Sequence, residues 1–225
     1  YPFKLWSGKI NKNVRPIFLT YTNGIFHLRE YSFTNPDHYN SIVLLNEKKY
    51  TIQEGVINNE IIQQILDSTK TIREPEIPFP QADSFERVIN LCELLLERGY
   101  LTKEEITQNY DFNERQTNYY SDAGRYLGLI DKSNGIFTLT KFGEKVFRKP
   151  IFERKLEFIR LILSHSPFKK NLKSYYENAE IPSKEEVVEH MKQSKLFNVG
   201  TESTYQRRAS TVKSWINWIV EQNEE

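Results

Sequence analysis

Residues 113–130 read NERQTNYYSDAGRYLGLI, and this stretch decides how the middle of the chain is interpreted. It has the length of one helix, with a polar start, two adjacent tyrosines, an Ala-Gly pair and an apolar end. A helix that only packs in a core needs no more than an apolar stripe, whereas a helical wheel gives this one a second, polar face. The inward set is Gln116, Tyr120, Ala123 and Leu127, with Tyr119 and Tyr126 alongside, and the outward set is Arg115, Asn118, Asp122 and Arg125.

The neighbouring segments predict two helices before this stretch and a β-hairpin after it. The amphipathic run SFERVINLCELLLERGY ends at Gly99, a residue typical of helix C-termini. Thr102 and Glu105 form a capping box for a second helix, and Asn113 with Gln116 is a plausible cap for the third. The turn 132–135 then joins two short apolar runs. Three helices followed by a hairpin predict a winged helix-turn-helix over residues 83–149.

The outward groups of the third helix suit double-stranded DNA. Arginine can bond guanine bidentately, asparagine can do the same with adenine, and either can bond phosphate. Lys132 and Asn134 in the hairpin turn would reach the backbone or the minor groove. The alternative is a protein-contact domain whose polar face is only solvated, and Asp122 and Glu114 favour it. The candidate DNA-binding residues of this unit are Arg115, Gln116, Asn118, Tyr119, Asp122, Arg125, Lys132 and Asn134.

Residues 150–225 predict a second helical unit of helix-turn-helix type that ends in a long helix, GTESTYQRRASTVKSWINWIVEQ. The apolar positions of this helix recur with a period of 3.6 residues: Tyr205, Ala209, Val212, Ile216 and Ile219. The opposite side offers hydrogen-bond donors that would contact a second part of a DNA site, namely Gln206, Arg207, Arg208, Ser210 and Thr211. A solvated basic face explains the same pattern equally well.

Residues 1–72 form a β-rich segment in this interpretation. The runs VRPIFLTY and IFHLREYSF flank Asn23-Gly24, the strongest short hairpin signal, and SIVLL and KYTI add two more strands. An amphipathic helix is expected over residues 58–70. Residues 73–82 contain three prolines, which block helix and sheet alike, so we expect a linker and a domain boundary there.

Composition excludes several classes of protein. The 225 residues carry a net charge of +1, so an anionic partner must be met by local patches. Cys92 is the single cysteine, which indicates a reducing compartment, and the cytoplasm is the expected location. No run approaches the ~18 apolar residues of a membrane span, and no signal-peptide pattern is present, so no membrane partner is expected. The first residue is Tyr1, in the middle of a pattern, which predicts a fragment of a longer protein.

A nuclease-like motif also occurs in the β-rich segment. Pro36-Asp37 followed by Glu47-Lys48-Lys49 is a literal PD…ExK, a signature in which two carboxylates hold Mg²⁺. However, Lys48 stands where that motif has an apolar residue, and Asp37 lies in a turn-like stretch. A loop aspartate and an edge-strand charge cluster are therefore the favoured reading. The four histidines show no ligand spacing, so no metal site and no catalytic residue is assigned.

Two segments resemble a known family. YPFKLW…VRPIFLTYTNGIFHLREYSF resembles the stretch that follows the catalytic motif in type II restriction endonucleases of the PD-(D/E)XK class. FPQADSFERVINLCELLLERGYLTKEEI…RQTNYYSDAGRYLGLI resembles the DNA-recognising winged-helix domain of such enzymes. The resemblance implies a site-specific, Mg²⁺-dependent deoxyribonuclease whose metal ligands lie before YPFKLW and outside this chain. Residues 1–53 would then be the remainder of a nuclease core.

The expected fold is therefore α+β, with a β-rich N-terminal part followed by two helix-turn-helix-like DNA-binding units. The expected partner is double-stranded DNA, and a homodimer is left open. Mg²⁺ is expected only for the full-length enzyme. One alternative is a non-enzymatic transcription regulator with tandem winged helices, which would bind DNA without cutting it. Another is a protein-interaction scaffold, which would show no salt-sensitive affinity for DNA.

Overall fold

The computed structural model describes residues 2–22, 25–51, 55–109 and 114–223. The chain is α+β, with small antiparallel sheets and several helices, and this confirms the predicted class. Its contacts divide it into two compact units, Tyr1–Gln53 and Glu54–Glu225. The predicted boundary at residues 73–82 thus lies inside the second unit and not between two units.

The described part of the first unit contains an α-helix, a short 3₁₀ helix (Tyr39–Ser41) and a three-stranded antiparallel sheet. Helix α1 spans Pro2–Ser7, and strands β1 (Ile17–Thr22), β2 (Ile25–Phe33) and β3 (Ile42–Thr51) pair in the order β1-β2-β3. The two strands predicted at SIVLL and KYTI are one continuous strand, β3. The expected turn residues Asn23 and Gly24 lie outside the described residues. None of the described side chains of this unit is fully buried, and Phe18 and Leu45 are 58% and 60% exposed.

The second unit begins with helix α2 and the proline-rich segment. Helix α2 spans Asn59–Ser68, and the Asn58 side chain caps it by accepting a hydrogen bond from the Ile61 amide at 3.0 Å. The segment 73–82 is irregular, as its prolines predict, but it is not a solvated linker. Phe79 and Ala82 are buried in the core, with exposures of 2% and 0%. The segment therefore holds helices together across the unit.

The middle of the second unit contains helices and the strands of a second small sheet. The elements are α3 (Phe85–Arg98), β4 (Tyr100–Thr102), α4 (Lys103–Asn109), α5 (Glu114–Tyr126), β5 (Ile130–Ser133) and β6 (Ile136–Leu139). The antiparallel sheet has the order β4-β6-β5, so the first strand pairs with the last. The predicted capping box forms: the Thr102 hydroxyl accepts from the Glu105 amide, and the Glu105 carboxylate accepts from the Thr102 amide.

Over residues 140–223 the structure shows five further helices: α6 (Lys141–Phe147), α7 (Ile151–Leu163), α8 (Ser166–Asn178), α9 (Lys184–Lys192) and α10 (Glu202–Val220). The apolar stripe predicted for α10 is buried at Ala209, Val212, Ile216 and Ile219, while Tyr205 is partly exposed. Phe85 of α3 packs against Trp215 and Trp218 of α10, with ring centroids 4.9 and 4.5 Å apart. Residues 150–225 therefore share one core with the segment before them. Within the described ranges, no helix has both the length and the apolar character needed to cross a membrane.

Candidate functional site

Helix α5 is fixed along its inner side by polar as well as apolar contacts. Thr117 and Ser121 are buried, and the Thr117 hydroxyl shares a 2.8 Å hydrogen bond with Thr107 of α4. The sequence did not reveal these two inward polar residues, because short hydroxyl side chains also suit a solvated face. Gly124 allows close approach to the hairpin: a Cβ atom there would lie 2.4 Å from Cδ1 of Ile130. This close approach therefore joins α5 to β5.

The C-terminal end of α5 is anchored to a buried carboxylate. The Tyr126 hydroxyl donates to Glu74, whose carboxylate also accepts from the Ser166 amide and pairs with His165 Nδ1, both at 3.0 Å. The Tyr126 ring stacks on His165 at 4.0 Å between centroids. Burial, and after it the Glu74 carboxylate, raises the pKa of Tyr126 well above its ordinary value. Because Glu74 comes from the proline-rich segment, this cluster joins that segment, α5 and the start of α8.

The outer side of α5 presents the predicted candidate residues in two different states. Arg115 is exposed, and its Nε donates to the Tyr119 hydroxyl, with the guanidinium 5.7 Å from the Tyr119 ring centroid. Gln116, Asn118 and Tyr119 are partly exposed. Asp122 and Arg125 bond each other at 2.8 Å. Arg125, which the wheel placed on the outward face, is therefore already paired with an anion.

The hairpin turn next to α5 places its two candidate residues at the surface. Asn134 and Gly135 connect β5 to β6 with φ angles of 49° and 79°, which is the pattern of a two-residue hairpin turn. Asparagine and glycine are the residues that adopt this conformation most readily. Lys132 is exposed, with Nζ 5.0 Å from the Phe137 ring centroid. Both Lys132 and Asn134 are therefore accessible to a partner.

The first half of α10 holds the remaining candidates. Arg207 is exposed, Ser210 is partly exposed, and Gln206 donates to Glu202 at 3.4 Å. Thr211 does not belong with them: it is fully buried, and its hydroxyl donates to Asp83 at 2.6 Å. The prediction that it faces outward was wrong, because the buried arc of α10 is widened by Trp215 and Trp218.

The two candidate helices meet at one place in the fold. The Arg208 guanidinium of α10 lies 5.9 Å from the Tyr119 ring centroid of α5, within range of a cation–π contact. Burial first, and then Arg207, lowers the pKa of Arg208, while Tyr119 and Asp122 act in the opposite direction. The prediction placed α5 and α10 at separate parts of a binding site. Their contact across almost 90 residues of sequence was missed, since helical periodicity carries no information about long-range pairing.

Carboxylates that could hold a metal are not brought together among the described residues. Asp37 pairs with Lys4 at 2.6 Å, and Glu47 of β3 pairs with Arg29 at 2.8 Å. No group of three or more His, Cys, Asp or Glu side chains within the described ranges has a geometry suited to a metal ion. The two carboxylates of the PD…ExK pattern thus each pair with a different cationic side chain. The Cys92 thiol is buried, and burial raises its pKa, so it is poorly suited to nucleophilic chemistry.

Comparison with known proteins gives two family matches. Residues 1–51 match the domain of unknown function DUF6997, and residues 87–224 match the domain of unknown function DUF7226. The two matches fall on either side of the division between the compact units. No curated protein and no solved structure matched the chain. The second match includes both α5 and α10 and covers more than half of the sequence, and by it the chain belongs to the DUF7226 family.

Proposed function

We propose that the second unit recognises double-stranded DNA, with α5 as the helix that enters the major groove. The order α3-β4-α4-α5-β5-β6, with β4 paired to β6, supports a winged helix-turn-helix in which the β5–β6 turn is the wing. In such an arrangement the third helix has one side in the core and the other free for a groove. The observation that carries the proposal is that α5 is anchored through Thr117 and Tyr126 while Arg115 stays exposed at its first turn.

The proposed contacts follow from the state of each side chain. Arg115 and Asn118 would contact base edges, because a guanidinium suits guanine and a carboxamide suits adenine. Lys132 and Asn134 would contact the backbone beside the groove. Arg125 has a weaker role than the sequence suggested, since its bond to Asp122 would have to break before it could bind DNA.

A pair of matched arginine substitutions tests the proposal. Arg115→Ala should weaken specific binding by about 1–3 kcal/mol in a fluorescence anisotropy titration with duplex DNA. Arg73→Ala removes the same charge from a side chain that is 92% exposed and lies in the proline-rich segment, and it should leave the affinity unchanged. Equal affinities for the two variants would show that α5 does not read the duplex.

We further propose that this recognition serves a type II restriction endonuclease. The resemblance of residues 1–53 to part of such a nuclease core supports this context, as does the first unit's sheet, which leaves apolar side chains such as Phe18 and Leu45 exposed. A sheet of this kind gains stability only when further structure covers it. The metal-binding residues would then lie outside the chain described, and Mg²⁺ would serve the full-length enzyme. The expected location is the cytoplasm, and a homodimer remains open to test.

Cleavage assays on the full-length protein separate this context from the alternative regulator. The nuclease should cut duplex DNA at defined sites when Mg²⁺ is added and should bind without cutting in EDTA. A transcription regulator should bind equally in both conditions and leave the duplex intact. The second outcome would remove the nuclease context but keep the DNA-binding proposal.

A further inference from the structure

Arg208 of α10 combines partial burial with an unsatisfied hydrogen-bond donor. Its side chain is half-buried against α5, and its Nε is shielded from solvent without a hydrogen-bond acceptor among the described residues. A shielded N–H that lacks an acceptor loses the hydrogen bond it would make to water. An anion bound at the partly exposed guanidinium would offset part of this cost electrostatically.

The nearest carboxylate does not satisfy this need. Asp122 influences Arg208 electrostatically, but Asp122 Oδ1 bonds Arg125 Nη1 at 2.8 Å. The Tyr119 ring offers only its π-face, and its hydroxyl already accepts from Arg115. Arg208 thus has no carboxylate partner of its own among the described residues.

Two further guanidinium groups flank the same position. Arg115 and Arg208 both lie within 6 Å of the Tyr119 ring centroid, at 5.7 and 5.9 Å, and Arg207 is close enough to lower the pKa of Arg208. An anion bound beside Tyr119 would therefore lie near positive side chains from both helices. Their convergence depends on the fold, because one arginine comes from α5 and two come from α10.

We infer that Arg208, flanked by Arg115 and Arg207, binds one phosphodiester group of the DNA backbone where α5 meets α10. The inference rests on the proposed DNA-binding function and adds that α10 contacts the same stretch of duplex as α5. Guanidinium groups match phosphate oxygens in geometry and remain charged at any physiological pH. A phosphate at this position would place the backbone beside the first turns of α5, as a helix lying in the groove requires.

The salt dependence of duplex binding tests this site. Each phosphate contact contributes about 0.9 to the slope of log K against log salt concentration, so Arg208→Met should reduce that slope by about 0.9. Between 50 and 200 mM salt, the variant should therefore lose about 3.5-fold less affinity than the wild type. Methionine keeps an apolar stem against Tyr119, and circular dichroism checks that the fold is retained. Arg73→Met is the charge-matched control and should keep the wild-type slope.

Arg207→Met gives a second measurement that does not disturb packing, because Arg207 is exposed. The slope of log K against log salt concentration should also fall for this variant. If the wild type binds duplex but both arginine variants keep its slope, the phosphate site is refuted and the proposed function stands. If the wild type shows no salt-dependent binding, both ideas fail together. A thermal melt with 10 mM inorganic phosphate distinguishes free phosphate from the DNA backbone as the source of the anion. If phosphate raises the melting temperature of the wild type but not of Arg208→Met, and the wild type has no affinity for duplex DNA, the assignment of the site to the DNA backbone is overturned.

Discussion

Removal of the Glu74 carboxylate should strongly destabilise the second unit, because this buried group is bonded by residues of distant segments. The side chain is 7% exposed and receives hydrogen bonds from Tyr126, Ser166 and His165, which belong to or precede two different helices. Hydrogen bonds to a charged group contribute about 1.5–3 kcal/mol each, and breaking a buried pair typically costs about 3–5 kcal/mol in total. We therefore expect Glu74→Ala to lower the free energy of unfolding by about 3–5 kcal/mol.

Urea denaturation followed by tryptophan fluorescence measures this loss, because Trp215 and Trp218 lie in the core of the same unit. The matched control is Glu76→Ala, two residues away. Glu76 is 80% exposed and lies 3.8 Å from an arginine that is itself almost fully exposed, so its removal should change stability by no more than about 0.5 kcal/mol. A loss below about 1 kcal/mol for Glu74→Ala would refute the view that this carboxylate anchors α5.

Two substitutions and one labelling experiment test other parts of the structure. Gly143→Ala should lower the free energy of unfolding by about 1–3 kcal/mol in the same urea assay, because the new Cβ would lie 2.3 Å from the Leu129 carbonyl oxygen. The control is Gly200→Ala, whose Cβ would meet open space, and it should leave the free energy of unfolding nearly unchanged. Burial lowers the pKa of His190 below its ordinary value of 6.5, so the unfolded chain binds a proton there more readily than the folded protein does. The stability difference between wild type and His190→Gln should therefore be largest above pH 6.5 and should shrink as the pH falls towards 5. A difference that stays constant with pH would contradict this. Cys92 should resist iodoacetamide at pH 8 until urea unfolds the protein, and rapid labelling of the native state would show that the thiol is accessible.

Local features of the fold were predictable from the sequence because they depend on short-range periodicity and capping. The apolar stripe of α10 and the box formed by Thr102 and Glu105 both follow from residues within one or two turns of each other. The hairpin around Asn134 is predictable for the same reason, since Asn-Gly favours positive φ angles.

Other features were not predictable because they depend on contacts between distant segments. The proline-rich run indicates an irregular backbone, but nothing in it shows that Glu74 meets His165, 91 residues later. Likewise, the arginines of α5 and α10 look like two independent polar faces until the fold brings Arg208 to Tyr119. The bond between Asp122 and Arg125 was predictable from their spacing of three residues, and it makes Arg125 a weaker candidate for DNA contact than Arg115.

Selection of bound sequences from a randomised duplex DNA pool tests the central claim most directly. The account predicts that the chain enriches one short motif, and that Arg115→Ala relaxes the preference at a single position of that motif while the rest is kept. If the wild type and Arg115→Ala both retain DNA without enriching any motif, and the amount retained does not depend on salt, the claim that α5 reads DNA is contradicted.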